Sequence, residues 1–468
     1  MIEIKPQIPS ALADSQLQKN LRHTLTKVCT ARLKVIAEVD NWQDLREHAR
    51  QVKAQTMAHL GLYLQQFEKN VVAQGGRVIW ANDSREALDF ILELATRKGI
   101  RKVVKSKSML GEEIRLNEEL ERNNIEPIET DLGEYIVQLG HEPPSHIVMP
   151  AMHKSKEQIA ALFEDRLGMA PTDDCEVITA TARQVLRQHF LSARMGISGV
   201  NFGIAETGTV VVVENEGNAR LSVSVPEIHV AIMGLEKVIP RTADLAVFLK
   251  LLTRNATAQR ISTYVNLING SRRPGERDGP SEFYLVLLDN GRTRILADDF
   301  LRQTLYCIRC GACLDVCPVY QTIGGHAYRS TYQGPIGAIL TPQLLSPDSA
   351  PEHPFASSLC GACYEICPVK IEIPHILLKL RQKTQEQKSG RASRLPVEKW
   401  AFGIWSWIMT SPSRYALMGR FAKILAKLAR PKRRIPVPPF SAWTATRELP
   451  VLARKSFREQ LDEEERKS

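Results

Sequence analysis

The chain lacks any run of the roughly 18 consecutive apolar residues that a membrane-spanning helix needs, which argues against an integral helical membrane protein. Met1–Ser10 carries no basic head followed by an apolar stretch, so no secretory leader is expected and the expected address is the cytoplasm. No Gly-x-Gly-x-x-Gly follows a strand-like segment and there is no P-loop, which leaves direct nicotinamide chemistry without support. Acidic residues are missing from one long stretch. Between Lys399 and Arg447 there are ten Lys or Arg and no Asp or Glu. Taking those ten from the 62 basic residues leaves 52, equal to the 52 acidic residues, so the net charge of +10 belongs to one C-terminal segment. Basic charge that is confined in this way, without a recognised binding fold, does not indicate nucleic acid.

What remains is a globular composition, 43% hydrophobic and 24% charged, in a chain of 468 residues, enough for two or three structural units. Residues 1–70 read as a helical segment. Residues 71–295 read as an α/β unit with a largely parallel sheet, because short apolar runs alternate with amphipathic stretches. Strands are expected at Arg77–Ala81, Lys102–Lys105, Glu126–Glu129, His146–Met149, Thr209–Val213, Leu221–Val225, Ile228–Met233 and Glu282–Leu288. Helices are expected at Ser84–Thr96 behind an Asp83 or Ser84 cap, at Met109–Arg122, at Cys175–Leu191 and over 243–256. Thr207-Gly208 reads as a tight turn. Residues 296–385 carry cysteine motifs in a mostly helical setting, and residues 386–468 form a basic C-terminal region.

Seven of the nine cysteines fall between Cys307 and Cys367. The first motif is Cys307-Ile-Arg-Cys310-Gly-Ala-Cys313-Leu-Asp-Val-Cys317-Pro318, with the spacing C-x2-C-x2-C-x3-C-P. This is the bacterial ferredoxin run, in which three cysteines wrap one iron–sulfur cluster and the fourth serves another. Soft thiolates at two-residue gaps reach three corners of one cube. Zinc, which favours separated C-x2-C pairs, fits this run poorly. The second motif, Ser357-Ser-Leu-Cys360-Gly-Ala-Cys363-Tyr-Glu-Ile-Cys367-Pro368, repeats the first with Ser357 at the first cysteine's place. Cross-ligation then assigns Cys307, Cys310, Cys313 and Cys367 to cluster one, and Cys317, Cys360 and Cys363 to cluster two. The open corner of cluster two admits three readings: a 3Fe-4S cluster, a labile iron, or a 4Fe-4S cluster whose fourth iron takes Ser357, His353, water or a partner's ligand. Cys29 and Cys175 stand alone and read as ordinary thiols. The 43 residues from Cys317 to Cys360 suggest an α-helical ferredoxin, with the Gly, His and Tyr of Gly324–Gly337 packed around a cluster or facing a redox partner.

Other candidates are weaker. Asn201, Glu206, Glu216 and Asn218 bracket one buried strand, and could line a crevice or serve as turn and cap residues. Lys105, Lys107 and Arg220 could hold a carboxylate or be solvated charge, and His229 reads as a core histidine. In the tail, Leu417, Phe421, Ile424 and Leu428 share a helical face, with Arg420, Lys423, Lys427 and Arg430 around it and Trp400, Phe402, Trp405 and Trp407 upstream. Such a helix can lie on an anionic membrane, dock on a partner subunit or pack on its own chain.

The block Gly196–Asn218, Pro226–Lys237, both cysteine motifs, Gly324–Gly337 and Ser441–Thr444 together resemble the iron–sulfur B subunits of bacterial L-lactate utilisation complexes, the lactate utilisation protein B family, over nearly the whole chain. The resemblance implies a lactate-utilisation domain of NagB/RpiA/CoA-transferase-like fold, followed by an α-helical dicluster ferredoxin domain and the basic tail. It implies a role in oxidising L-lactate to pyruvate in a three-protein assembly, and it implies that seven cysteines with an absent eighth are usual. The expected function is an electron-transfer subunit that passes electrons through two iron–sulfur clusters to an acceptor such as a quinone. Its expected partners are the other subunits of the complex, with a peripheral contact to the inner face of the membrane as an option. The alternatives are a self-sufficient lactate-oxidising enzyme with substrate in the α/β domain, and an iron- or oxygen-sensing regulator.

Overall fold

Continuous apolar runs build the centre of the molecule. The computed structural model describes residues 2–390, 397–428, 453 and 455–466. Its strands are β1 (Arg77–Ala81), β2 (Lys102–Lys105), β3 (Glu126–Glu129), β4 (Met195–Gly199), β5 (Phe202–Ile204), β6 (Thr209–Glu214), β7 (Ile228–Gly234), β8 (Val238–Ile239), β9 (Tyr264–Ile268) and β10 (Glu282–Leu288). Six of them form a parallel sheet in the order β1-β10-β7-β4-β2-β3. A parallel sheet is covered on both faces, so its inner strands are mostly apolar. Every residue of β7 is buried. Alternate side chains serve opposite faces. Val230, Ile232, Val286 and Leu288 pack with Ile91 and Val103 on one side, while Ala231, Met233, Leu285 and Leu287 pack with Phe67 and Phe248 on the other.

The remaining strands make a second sheet, β8-β5-β6-β9, that the sequence reading did not foresee. Its hairpin β5–β6 turns at Thr207-Gly208 as expected, with Gly208 at φ +72°. A Cβ on Gly208 would lie 2.5 Å from the Asn70 and Val71 backbone, so glycine is needed twice over, for conformation and for close approach.

Three expected elements differ. Leu221–Val225 is not a strand but lies mostly within the helix Asn218–Ser224, because the Glu214 carboxylate accepts the amides of Ala219 and Arg220 and starts a helix there. His146–Met149 is irregular: the His146 ring takes the amides of Val148 and Met149, which removes them from any ladder. Met109–Arg122 is two helices, Met109–Glu113 and Leu116–Arg122, broken where Arg115 adopts φ +54°.

The N-terminal helices Ser15–Ala37, Trp42–Ala58 and Leu60–Ala73 tie the sheets to the cysteine-bearing segment. Leu21 and Leu25 belong to one continuous apolar core that also holds Phe202, Phe248, Tyr320 and Leu380. Arg32 donates to Asn255 Oδ1 at 2.9 Å and to the Ile366 carbonyl at 3.3 Å. Arg46 donates to the carbonyls of Cys367 and Glu365, each at 2.7 Å. Residues 1–387 thus form one compact unit.

A second unit begins at Lys388. It contains the helices Val397–Met409 and Pro412–Leu428, on which Trp400, Phe402, Trp405, Trp407, Leu417 and Phe421 are exposed and Arg414 lies over the Trp407 ring at 4.5 Å. No described helix is long and apolar enough to cross a membrane. Pro436–Pro439 and Ser441–Thr444 lie outside the described residues.

Gly196 in β4 sets how closely the helix Asn218–Ser224 can approach the sheet, since a Cβ there would lie 1.8 Å from the Ser222 carbonyl oxygen. Backbone cannot yield as a side chain can, so Gly196→Ala is expected to lower the thermal midpoint of the α/β unit by roughly 10 °C or to prevent soluble accumulation. A melting curve within about 2 °C of the parent would contradict this packing.

Candidate metal centre

The first cysteine motif leaves a short 3-10 turn, Leu301–Tyr306, and curls through two residues of left-handed conformation, Arg309 at φ +61° and Gly311 at φ +78°. That curl turns amides toward sulfur. The Arg309 N–H donates to Cys307 Sγ at 3.4 Å, and the Ala312 N–H is directed at Cys310. Cys313 sits on the helix Ala312–Asp315, and Cys317 caps the helix Pro318–Ile323, whose first position is the proline.

The second motif has the same backbone course. Leu359 is at φ +56° and Gly361 at φ +86°, matching Arg309 and Gly311 in order. The Leu359 N–H donates to Ser357 Oγ at 3.1 Å, the counterpart of the bond from Arg309 to Cys307. A branched residue at positive φ is uncommon and needs an enforced loop. The repeat therefore extends to geometry, and the Ser357 hydroxyl takes the position of the missing sulfur.

The sulfurs gather in two groups. Cys307, Cys310, Cys313 and Cys367 line one cavity, walled by Ile147, Ile308, Ile336, Ile371 and Ile373. Cys317 has Cys360 as its sulfur neighbour, and Cys363 has Cys317 and Cys360. Cys313 feels both groups, since Cys307, Cys310, Cys367 and Cys363 all act on it. Burial, then the neighbouring sulfurs, pushes the Cys363 thiol up to about 12. Burial likewise raises Cys367 to about 11, and raises Cys310, Cys313 and Cys317. The more exposed Cys360 is lowered, chiefly by the Ala362 N–H. None of the seven is in a disulfide. Four sulfurs facing one apolar cavity can all ionise only around a multivalent soft cation. The donor set therefore fits an iron–sulfur cluster.

Cys29 and Cys175 are apart from these groups: Cys29 approaches the Asp315 carbonyl at 3.7 Å and Cys175 is exposed. His353 is buried, with Nε2 3.2 Å from Ser330 Oγ. In Gly324–Gly337 the small residues serve packing. A Cβ on Gly325 would meet the Ser145 carbonyl at 1.8 Å, and one on Gly337 the Tyr332 carbonyl at 2.0 Å. Tyr328 in this stretch is buried beside Cys317 and Cys313.

A second feature adjoins the sulfurs. A cavity of about 330 Å³ opens at the carboxyl ends of parallel strands: Ser106 and Lys107 follow β2, Asp131 follows β3, Asn201 follows β4, and Glu236 and Lys237 follow β7. Crevices of this kind are where ligands bind in open α/β sheets. Asn201, Glu216 and Asn218 line it, as the bracketing of β6 suggested. Glu206 does not; it is exposed and accepts the Thr242 amide at 2.9 Å, a capping role. Glu216 is exposed at one side, yet partial desolvation raises it to about 7, with Asp131 adding to the effect.

Lys105 is neither an anion ligand nor solvated. It is fully buried and paired with Glu129 at 2.6 Å and Glu112 at 3.4 Å. Lys107 donates to the Val148 carbonyl at 2.7 Å. Arg220 is exposed, over the Tyr264 ring. His229 is a core histidine, held at about 3 by burial and bonded through Nε2 to Ser198 Oγ at 2.8 Å.

Sequence reading missed Glu236, Lys237 and Arg309 as cavity residues. Arg309 Nη2 meets Glu236 Oε1 at 3.2 Å and Arg292 Nε meets Glu236 Oε2 at 2.6 Å. Burial alone would raise Glu236; Arg292 and Arg309 overcome it and hold the carboxyl at about 2. Lys237 is pushed down to about 8, first by burial and then by Arg309. The signal available was position: Glu236-Lys237 follows a wholly buried strand, where charge is costly unless used.

Known proteins resemble the chain along most of its length. The LUD domain family matches residues 64–288, the 4Fe-4S dicluster domain residues 303–371, and the family described as lactate utilisation protein B, C-terminal, residues 378–466. The lactate utilization protein B of Bacillus velezensis is 44% identical over 440 residues, covering 93% of this chain and 92% of its own. That of Bacillus licheniformis is 41% identical over 465 residues, covering 98% and 96%, and that of Bacillus cytotoxicus is 43% identical over 455 residues, covering 97% and 95%. The crystal structure of a DUF162 family protein from Deinococcus radiodurans aligns over 49% of this chain and 98% of its own at 11% identity and a TM-score of 0.25. With a LUD domain followed by a 4Fe-4S dicluster domain, and with relatives this similar over their full lengths, the chain belongs to the lactate utilisation protein B family.

Proposed function

We propose that this chain is the electron-transfer subunit of a cytoplasmic complex that oxidises L-lactate to pyruvate. The observation that carries the reading is the pairing of two sulfur groups that adjoin through Cys313 and Cys363. Cys307, Cys310, Cys313 and Cys367 hold one cluster, and Cys317, Cys360 and Cys363 hold the other with Ser357 Oγ at its fourth corner. When bound, such clusters supply one-electron redox centres between a donor and an acceptor, for which a quinone is the candidate. The chain's own residues set the conditions. The Arg309 and Ile371 amides donate to Cys307 and Cys367 sulfur, each at 3.4 Å, and disperse negative charge. Ile147, Ile308, Ile336 and Ile373 exclude water from the first group. Arg46 fixes the Cys367 carbonyl from the N-terminal helices. The exposed aromatic and basic helices Val397–Leu428 serve docking to partner subunits; the exposed tryptophans, with Arg414 over Trp407, favour contact with the membrane's inner face as a second reading.

The wiring is tested by EPR and iron counting on anaerobically purified protein. Cys307→Ala and Cys367→Ala should each remove the same signal, although 60 positions separate them, while Cys363→Ala should remove the other. Loss of the same signal in Cys363→Ala and Cys367→Ala would overturn cross-ligation, and zinc in place of iron would overturn the reading as a whole.

Ser357 is tested separately. Ser357→Cys should retain both centres and lower the potential of the second, because a negatively charged thiolate replaces a neutral hydroxyl at that corner. Ser357→Ala should produce a three-iron signal from the same centre. An unchanged second signal in Ser357→Ala would remove Ser357 from the ligand set.

A further inference from the structure

The cavity at the carboxyl ends of β2, β3, β4 and β7 has an inner wall with more positive than negative charge. Arg309, Lys237 and Glu236 line that wall, and behind it Arg292 and Lys53 join them around only two carboxylates, Glu113 and Glu236. Arg292 is paired with both, at 2.8 and 2.6 Å. Arg309 shares Glu236 with it, and Lys53 reaches only the Glu236 carbonyl. Lys237 is buried and has no hydrogen bond or ion pair among the described residues, although Glu236 precedes it in the chain. Ser106 and Arg309 line the cavity, and each has a side-chain atom, Ser106 Oγ and Arg309 Nη1, that is buried without any hydrogen-bond partner. Buried donors left unpaired are costly, and a cluster of them around one opening indicates a missing acceptor.

The outer wall is different. Its carboxylates are already engaged by backbone amides: Glu214 by Ala219 and Arg220, Asp131 by Glu134, and Glu216 by Leu132. They therefore make no demand for a cation, whereas the inner wall does call for an anion. The cavity, about 330 Å³, lies at the small end of ligand sites. An Arg beside a Lys suits a carboxylate, and the free Ser106 hydroxyl suits a second oxygen next to it.

We propose that this cavity binds a small 2-hydroxy or 2-oxo carboxylate, its carboxylate between Lys237 and Arg309 and its neighbouring oxygen on Ser106. Arg309 stands between Cys307 and Cys310, so the ligand sits beside the first sulfur group. The choice of acid rests on the lactate-related reading above; the cavity and its unpaired donors do not. The surplus cations also face Cys307, and the competing account is that they serve only to offset the charge of the sulfurs.

The test is equilibrium binding to full-length, cluster-loaded, anaerobic protein, by calorimetry and by EPR of the first centre. The probes are L-lactate, pyruvate, acetate and inorganic phosphate. Saturable 1:1 binding of lactate or pyruvate is expected, tighter than acetate, with a shift of the first centre's signal and none of the second's. Lys237→Met should weaken that binding about tenfold or more with iron content unchanged. Ser106→Ala, which removes only an unpartnered hydroxyl, should bring lactate and pyruvate down to the affinity of acetate. The proposal is overturned by absence of saturable binding to protein in which both centres are intact. It is equally overturned by phosphate binding as tightly as pyruvate, or by Lys237→Met changing the first centre's potential while leaving affinity untouched. Protein that loses its centres on purification would instead count against the electron-transfer reading.

Discussion

Thiolates repel one another, and this constraint organises the cysteine-bearing half of the molecule. Bringing four sulfurs to one apolar cavity raises the cost of ionising each, first through burial and then through the neighbouring sulfurs, as the upward shift of Cys367 shows. A multivalent cation resolves the conflict only if the chain holds every sulfur in place against the repulsion of the others. The N-terminal helices do part of this work. Arg46 does not neutralise a thiolate directly; it clamps the carbonyls of Cys367 and Glu365 and so fixes the loop that carries the distant fourth sulfur. Arg32 does the same at Ile366. The single apolar core that runs from Leu21 to Leu380 follows from this requirement, because a loosely hinged helical segment could not impose such positions.

The repeat was legible in the cysteine spacing, and so was the shortage of one ligand. The parallel sheet was legible as well, because strands buried on both faces are apolar runs and only such runs stand at β7 and β10. What escaped was decided by single side chains acting on nearby backbone. Leu221–Val225 alternates as a strand does, yet one carboxylate, Glu214, collects two amides and starts a helix instead. His146–Met149 has strand composition, yet its amides are spent on an imidazole. The second sheet was missed because β8 has only two residues and β9 exposes alternate side chains.

The candidate site beside the sheet was half legible for a related reason. Asn201, Glu216 and Asn218 flank an obvious strand and were found by position. Lys237 and Arg309 come from segments far apart in sequence, and their meeting depends on how the cysteine loop lies over the strand ends. Lys105 shows the reverse error. It looks like surface charge, yet Glu129 and Glu112 compensate it completely inside the protein. Nothing local distinguishes Lys105 from Lys237; the difference is whether a carboxylate arrives from elsewhere in the fold.

Arg309 joins the two features physically. Its backbone adopts a left-handed conformation that costs of order 1 kcal/mol for a side chain of this kind and is needed to aim its amide at Cys307. Leu359 accepts the same strain in the second loop, so the strain belongs to the loop and not to arginine. The side chains then diverge. Leu359 packs against apolar neighbours, whereas the Arg309 guanidinium crosses to Glu236, lies over Tyr332 at 4.8 Å and leaves one buried nitrogen without a partner. A residue chosen only for the turn would be glycine or asparagine. The one in place has the reach to join the sulfur-bearing loop to the carboxyl ends of the sheet, through its ion pair with Glu236.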